Sequence, residues 1–285
     1  MTAVPIDAVA LPRQKRRRRL TTSPTDTAVL ALAALVCLVA LTAPWIAPHS
    51  ATAPSGTTFL EPGAGGHLFG TDEVGRDIFA RVIYGIRSSW LSAIVVIASG
   101  VLFGGVIGLA AGTLGGWVDS VLMRITDAFL ALPGPILAIA VVAALGPSLS
   151  HTLIAVMLVW WPFYARIVRG EVRALAARPH VEAARLAGVK PMRLAFRHLL
   201  PGAVPATIVA ASLDVGNLIL TLAALSYLGL GAPAPAPELG AMSARGLNYL
   251  LEQWWIPIMP ALAVLGLALV ANLAGDALRD LLHDR

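Results

Sequence analysis

Apolar side chains in this sequence gather in six long runs, separated by segments where charged residues, glycine and proline return. A bilayer hydrocarbon core about 30 Å thick takes roughly 20 helical residues at about 1.5 Å each, so runs of that length predict membrane-spanning helices. They cover approximately residues 27–46, 89–111, 121–145, 152–168, 205–227 and 256–273. The third contains Pro133 and Pro135, which predicts a kinked or broken helix, because proline lacks an amide donor and its ring collides with the preceding turn. The fourth, beginning near His151, is short and tryptophan-rich. The pattern predicts an all-α, polytopic membrane protein with about six transmembrane helices in one membrane domain. Its parts are a basic tail at 1–26, a first helix at 27–46, a loop at 47–88, a five-helix core at 89–273 that includes a basic loop at 169–204, and a tail at 274–285.

Composition agrees with this reading: 57% of the 285 residues are hydrophobic and only 13% are charged, with a mean hydropathy of +0.77. A formal net charge of +5 on a soluble protein would raise nucleic-acid binding, but the position of the charges argues for membrane flanks instead. Arg13, Lys15, Arg16, Arg17, Arg18 and Arg19 precede the first run. Arg166, Arg169, Arg173, Arg178, Arg185, Lys190, Arg193 and Arg197 lie between the fourth and fifth, against only Glu171 and Glu182. The segment between the last two runs carries Arg245 against Glu238 and Glu252. The positive-inside rule therefore puts both termini and the 169–204 loop in the cytoplasm, across a bacterial inner membrane. Arg76, Arg81 and Arg87 in the outer loop run against the rule and are offset by Glu61, Asp72, Glu73 and Asp77. A cleaved signal peptide with its cut near residues 43–49 is the alternative for the first run. The run is longer than a signal h-region and five more follow it, which favours a retained anchor, with residues 1–20 disordered. Cys37 has no cysteine partner in the chain and suits apolar packing.

Several chemistries are excluded. A P-loop needs G-x-x-x-x-G-K-[ST], and the chain's two lysines, Lys15 after Gln14 and Lys190 after Val189, cannot complete one. ATP that drives this protein must be hydrolysed on another polypeptide. Zinc-protease, nucleophile-elbow and dinucleotide motifs are missing, so no catalytic residue and no metal ligand is assigned. Gly104, Gly105, Gly108 and Gly112 lie within a span, and the Gly104-x3-Gly108-x3-Gly112 spacing fits close helix packing.

The basic loop carries the most specific pattern, RPHVEAARLAGVKPMRLAFRHLLPGAVP from Arg178. Glu182 begins a short helix with its acid at the favourable dipole end, and Gly188 suits the cap that ends it. Pro191 can open a second helix with an apolar side of Met192, Leu194, Ala195, Leu199 and Leu200, and Pro201 marks its expected end. Ala183, Ala184 and Ala187 leave a narrow knob that could enter a groove on a partner. An ordinary basic loop lying on anionic headgroups is the plainer reading. The spacing of the EAA triplet at 182–184, Gly188 and H-L-L-P at 198–201 decides between them, because it resembles the EAA motif of ABC importer permeases.

That resemblance implies a permease fold of the methionine-importer (MetI-like) type, with cytoplasmic coupling helices that seat in ATPase subunits and with Glu182, Ala183, Ala184 and Gly188 as the core of the loop. His198 stands where isoleucine is common but where the peptide-permease branch has histidine, and Gly202 departs from that branch's usual asparagine. HLFGTDEVGRDIFARVIYGIRSSW at 67–90 resembles the N-terminal signature of the peptide and nickel permease family. The same stretch can also be read as an amphipathic helix with Ile78, Val82 and Ile83 toward the membrane and Arg81 toward water. Further likenesses are GGWVDSVLMRITD at 115–127, LSYLGLG at 225–231 and NLAGDALRD at 272–280.

The resemblance implies a binding-protein-dependent importer that moves dipeptides or oligopeptides by ATP-driven alternating access. Its partners would be a second permease subunit in a heterodimer, two cytoplasmic ATPases that hold ATP and Mg, and an external substrate-binding protein. This chain itself would bind no cofactor and no nucleic acid. Nickel or another small nutrient is the nearest alternative cargo. An ion-gradient-driven secondary transporter is the alternative class, which the EAA loop and the scarcity of intramembrane charge oppose. Within the spans, Asp214, Asn217 and Thr221 share a helical face, which implies either a translocation pathway or a hydrogen bond to the second permease subunit or a neighbouring helix. The acid that related peptide permeases often carry before the LS-x-L-G-L-G segment is Leu222 here. Asp127 and Asp276 are expected to form ion pairs near the interface. Trp160, Trp161, Trp254 and Trp255 are expected in interfacial belts.

Overall fold

The computed structural model describes residues 24–283, so the basic residues Arg13 to Arg19 and the expected disorder of 1–20 lie outside the described residues. The helices are α1 (Pro24–Ile46), α2 (Ile78–Leu114), α3 (Gly116–Leu130), α4 (Gly134–Leu145), α5 (Leu149–Ala176), α6 (Pro179–Leu186), α7 (Pro191–Leu194), α8 (Leu200–Tyr227), α9 (Leu239–Gly246) and α10 (Trp255–His283). Among the described residues, five helical stretches are long and apolar enough to cross a membrane: α1, α2, α5, the run Pro191–Tyr227 and α10. The α3–α4 pair, bent by 81°, makes a sixth if counted as one span. Its break falls at residues 131–133, where Pro133 and Pro135 deny the backbone a continuous ladder. Large apolar side chains such as Leu41, Leu102, Phe103, Val106 and Leu265 remain exposed on the helices, which suits a surface facing lipid rather than water.

The centre of the bundle is the α2–α5 contact. Gly100, Gly104, Gly108 and Gly112 stand one turn apart on α2, and each abuts α5. A Cβ on Gly100 would lie 2.9 Å from the Tyr164 ring, and one on Gly112 would lie 2.6 Å from Val172 Cγ1. At Gly104 and Gly108 the obstacle is backbone, the carbonyl oxygens of Trp161 and Ala165. The three-glycine spacing predicted from the sequence is thus a packing seam that begins one turn earlier. Gly105 points away into open space, so it belongs to the same run of letters but not to the seam.

Two clusters of buried side chains flank this seam. The larger joins α2, α4, α5, α8 and α10 through Val96, Val142, Val156, Tyr164, Leu218, Ile219 and Ala271. The smaller gathers Leu109, Val168, Val172 and Leu175 around Val181, Leu194, Leu199 and Ala203 from the basic loop and the start of α8. That second cluster fixes the loop to the bundle.

The loop at 47–77 forms an ordered cap over the opposite end of α2. Gly70 and Gly75 adopt left-handed conformations, and at both the backbone passes so close to another strand of the loop that no side chain would fit. Arg76 Nε donates to Asp72 Oδ2 at 2.7 Å. Asp77 Oδ2 accepts from the Ala80 amide at 2.7 Å and starts α2 there, eleven residues before the predicted span (89 − 78).

This cap overturns the amphipathic-helix reading of 67–90. Ile78, Val82 and Ile83 are buried in protein, and Arg81 is 1% exposed rather than facing water. Its guanidinium donates to the carbonyls of Ala51 at 2.7 Å and Pro235 at 3.2 Å and lies 3.6 Å from Asp72. One cation thereby satisfies three chain segments, which is how a buried arginine is tolerated. The tryptophan expectation also fails in part. Trp255 is buried and donates to the Thr71 carbonyl, and Trp160 donates to Asp214, whereas Trp254 is half-exposed.

The seam yields a direct test. Gly108→Ala forces a methyl against backbone that cannot rotate away and is expected to lower stability by about 2 kcal/mol. Gly105→Ala meets nothing and is expected to stay within about 0.5 kcal/mol of wild type. Thermal or denaturant unfolding of both proteins in the same detergent checks the difference.

Candidate functional site

The loop between α5 and α8 is built to hold its shape and present one surface. Pro179 opens α6 with Glu182 in its first turn. At the other end Gly188 adopts φ 78°, its amide donates to the Arg185 carbonyl, and the Val189 amide donates back to Ala184. This is a Schellman cap, and glycine is required because the left-handed conformation crowds any Cβ. Val181 is fully buried in the smaller cluster, with Ala184 and Val189 packed beside it. Ala183, Ala187 and Glu182 are exposed, as are Leu186 at 85% and Met192 at 69%.

The second half of the loop differs from the sequence expectation. Pro201 does not end the helix. From Pro191 the chain runs helically to Tyr227, passing through a π turn at Ala195–Leu199, where the Leu200 amide donates to Ala195 five residues back. The wider turn comes just before Pro201, whose missing donor and bulky ring would break a regular ladder. His198 lies half-buried inside this turn and Pro201 is exposed just beyond it. Gly202 faces Leu175, whose Cδ1 would lie 2.8 Å from a Cβ there. The asparagine common in the resembling branch would therefore need Leu175 to move.

A cluster that the sequence reading did not assemble ties the loop to α3. Asp119 is buried and accepts from Arg169 Nε at 2.5 Å and Nη2 at 2.8 Å, and from Arg173 Nη2 at 2.5 Å. The two arginines lie one turn apart on the last stretch of α5 before the loop. Charge counting used them only as markers of a basic flank, and no spacing rule links either one to position 119. Asp127 pairs with Arg166 at 2.5 Å, both more than half exposed, and Asp276 lies 3.4 Å from Arg279, so both acids form the ion pairs expected of them. Leu222 is buried in the main cluster, so the acid of related permeases has no counterpart there.

Asp214 occupies the middle of α8, facing α5. Its Oδ2 accepts from Trp160 Nε1 at 2.5 Å and from the Tyr164 hydroxyl at 3.1 Å, and Asn217 Nδ2 lies 3.4 Å from Oδ1. Thr221 turns its hydroxyl to the Asn217 carbonyl at 2.9 Å. The predicted face exists, but its polar groups are partly spent within the chain. The Trp160 and Tyr164 partners were invisible in sequence because they come from a different helix.

The acid–arginine cluster generates a stability prediction. Asp119→Ala leaves two guanidinium groups without their shared acceptor and is expected to cost about 1–3 kcal/mol, less than a fully buried pair because the arginines are partly solvated. Arg173→Ala, removing a half-exposed partner, is expected to cost under about 1 kcal/mol. Unfolding midpoints of the two variants give the comparison.

Comparison with known proteins agrees with the geometry. The family described as "Binding-protein-dependent transport system inner membrane component" matches residues 104–285. The probable D,D-dipeptide transport system permease protein of Escherichia coli K12 is 42% identical over 263 residues, covering 92% of this chain and 88% of that one. The di/tripeptide transport system permease protein of Pseudomonas aeruginosa is 40% identical over 260 residues, covering 88% and 85%. Among solved structures, an inward-facing MetNI methionine ABC transporter aligns with a TM-score of 0.53 at 24% identity, covering 70% of this chain and 96% of that one, a likeness of fold. This chain belongs to the family of binding-protein-dependent transport system inner membrane components.

Proposed function

We propose that this permease carries dipeptides or oligopeptides inward by alternating access, driven by ATP bound with Mg on two partner ATPases. A second, non-identical permease subunit would complete the pathway, and an external binding protein would deliver cargo. The reading puts the α5–α8 loop and both termini in the cytoplasm. The peptide assignment rests on the names of the relatives that align along nearly the whole chain.

One observation carries the coupling role. The loop is anchored from behind by Val181, Leu194 and Leu199, yet displays Leu186 and Met192 to solvent. Apolar side chains held out on a rigid, capped helix are unfavourable in water and favourable in a groove. Glu182 and Ala183 sit on the same short helix, so Glu182, Ala183, Ala184 and Gly188 form its body and cap, while His198 and Pro201 belong to the shaft that leaves it. Asp214, with Asn217 beside it, stands midway along α8 and would meet the cargo or order the pathway wall.

Two experiments test this. Leu186→Glu, in protein shown to reach the membrane, is expected to reduce ATPase co-purification and peptide uptake by roughly thirtyfold, as loss of an interface anchor worth about 2 kcal/mol would. Gly188→Val, which strains the cap without touching the exposed face, is expected to act in the same direction but more weakly. Unchanged recruitment and uptake in both would remove the coupling assignment. For Asp214, the neutral isostere separates the two roles: Asp214→Asn is expected to preserve folding and lower uptake, whereas normal uptake would leave Asp214 a structural acceptor for Trp160 and Tyr164.

A further inference from the structure

Three side chains from separate parts of the 47–77 cap converge at a point the transport reading does not use. His49 follows the end of α1, His67 lies in mid-loop, and Asp77 begins α2. Their candidate donor atoms, one per residue, all lie within 4.8 Å of one another. His67 Nδ1 is 2.8 Å from Asp77 Oδ1, and His49 Nδ1 is 3.9 Å from Asp77 Oδ2. The two imidazole rings are 4.6 Å apart between centroids.

Burial distinguishes this cluster from a surface coincidence. His67 and Asp77 are 2% and 1% exposed, and His49 is 30% exposed. Even so, His49 Nδ1 itself is buried and has no hydrogen-bond partner. A helix-capping aspartate oriented by one histidine accounts for the contact between His67 and Asp77, since Asp77 accepts from both the His67 ring and the Ala80 amide. It does not account for His49. The His49 nitrogen points into the cluster at 3.9 Å, too far for a hydrogen bond and costly to leave unpaired.

A metal ion resolves that mismatch. Zinc bonds to imidazole nitrogen and carboxylate oxygen are about 2.0–2.2 Å, so two ligands of a tetrahedral ion stand about 3.4 Å apart. The observed separations of 2.8 and 3.9 Å end on the two oxygens of Asp77 and bracket that value; with all three donor atoms inside 4.8 Å, closing around one ion would change these separations by about half an ångström to a little over one ångström. Two imidazoles and a carboxylate are a zinc-type donor set rather than a magnesium- or calcium-type one, which favours oxygen throughout. The exposed edge of His49 provides the way in.

We propose that His49, His67 and Asp77 form a zinc site with an open fourth position for water. The ion would tie the exit of α1 to the start of α2 across 28 residues (77 − 49). It would add stability by binding only the folded arrangement.

The test uses the full chain without a polyhistidine tag, purified in detergent, stripped with EDTA, and titrated with zinc in excess magnesium. After desalting, one zinc per chain is expected by elemental analysis, together with a higher unfolding midpoint than the stripped protein. His49→Ala is expected to weaken zinc binding on the order of 100-fold or more, with the stripped protein's midpoint lowered only by the lost ring contact with His67, so that the zinc-induced rise in midpoint, and not the midpoint itself, is the readout. His49→Asp, which returns a ligand, is expected to recover part of the affinity. Failure of the wild type to retain zinc, or equal retention by His49→Ala, would overturn the proposal.

Discussion

The close approach of α2 and α5 is the constraint on which the other features depend. In lipid the hydrophobic effect gives helices no reason to associate, so backbone proximity and the packing it allows must supply the attraction. Four glycines at one-turn spacing supply it here, and the seam they form does more than join two helices. It fixes the rotation of α5 about its axis. With Ala165 and Val172 held against α2, Trp160 turns toward α8, and Tyr164, whose ring lies against Gly100, reaches Asp214 with its hydroxyl. One and two turns further along, Arg169 and Arg173 must turn toward α3 and meet Asp119. Both polar clusters are consequences of one apolar seam.

This explains which parts of the protein were legible in its sequence. The spans were legible because lipid demands long apolar runs and internal backbone hydrogen bonds. The α3–α4 break was legible because two prolines act locally. Gly188 was legible for the same reason: a Schellman cap involves six consecutive residues, so its requirement is written in consecutive letters. Arg81 was not. Its environment is made by carbonyls at positions 51 and 235 and a carboxylate at 72, and an arginine beside apolar residues looks amphipathic until those distant segments arrive. The helix through Pro201 was misread because a π turn just before it accommodates the proline, at a place where Leu194, Ala195 and Leu199 are buried against residues from distant parts of the chain.

The same division separates the two kinds of site. The short helix of the α5–α8 loop could be located from spacing because a capped helix is a local object with a start, a face and an end. Asp214 could be singled out because an acid in an apolar run is conspicuous. Its partners could not, and they alter its meaning: an acid that already accepts hydrogen bonds from tryptophan and tyrosine is less costly in the membrane and less available than an unpartnered one. His49, His67 and Asp77 are further apart in sequence than any short metal motif, and only the folding of the cap brings them together.

The continuity of the helix from Pro191 to Tyr227 joins the α5–α8 loop directly to the segment that carries Asp214. Had Pro201 ended the helix, the loop would hang from α8 by a flexible joint and its movements would be absorbed there. Instead, Pro191 and Asp214 lie on one helical shaft, 23 residues apart (214 − 191), which at about 1.5 Å per residue is roughly 35 Å. In the proposed coupling role, a tilt at the loop would be carried along this shaft toward Asp214. The shaft also has a defined weak section, because a π turn exposes poorer hydrogen-bond geometry than the α-helix around it. Packing at that section holds it straight: Leu199 and Ala203 are buried against the end of α5, whose final arginines are held by Asp119. The buried acid–arginine cluster therefore has a mechanical meaning beyond its local stability, since it braces the helix that braces the shaft.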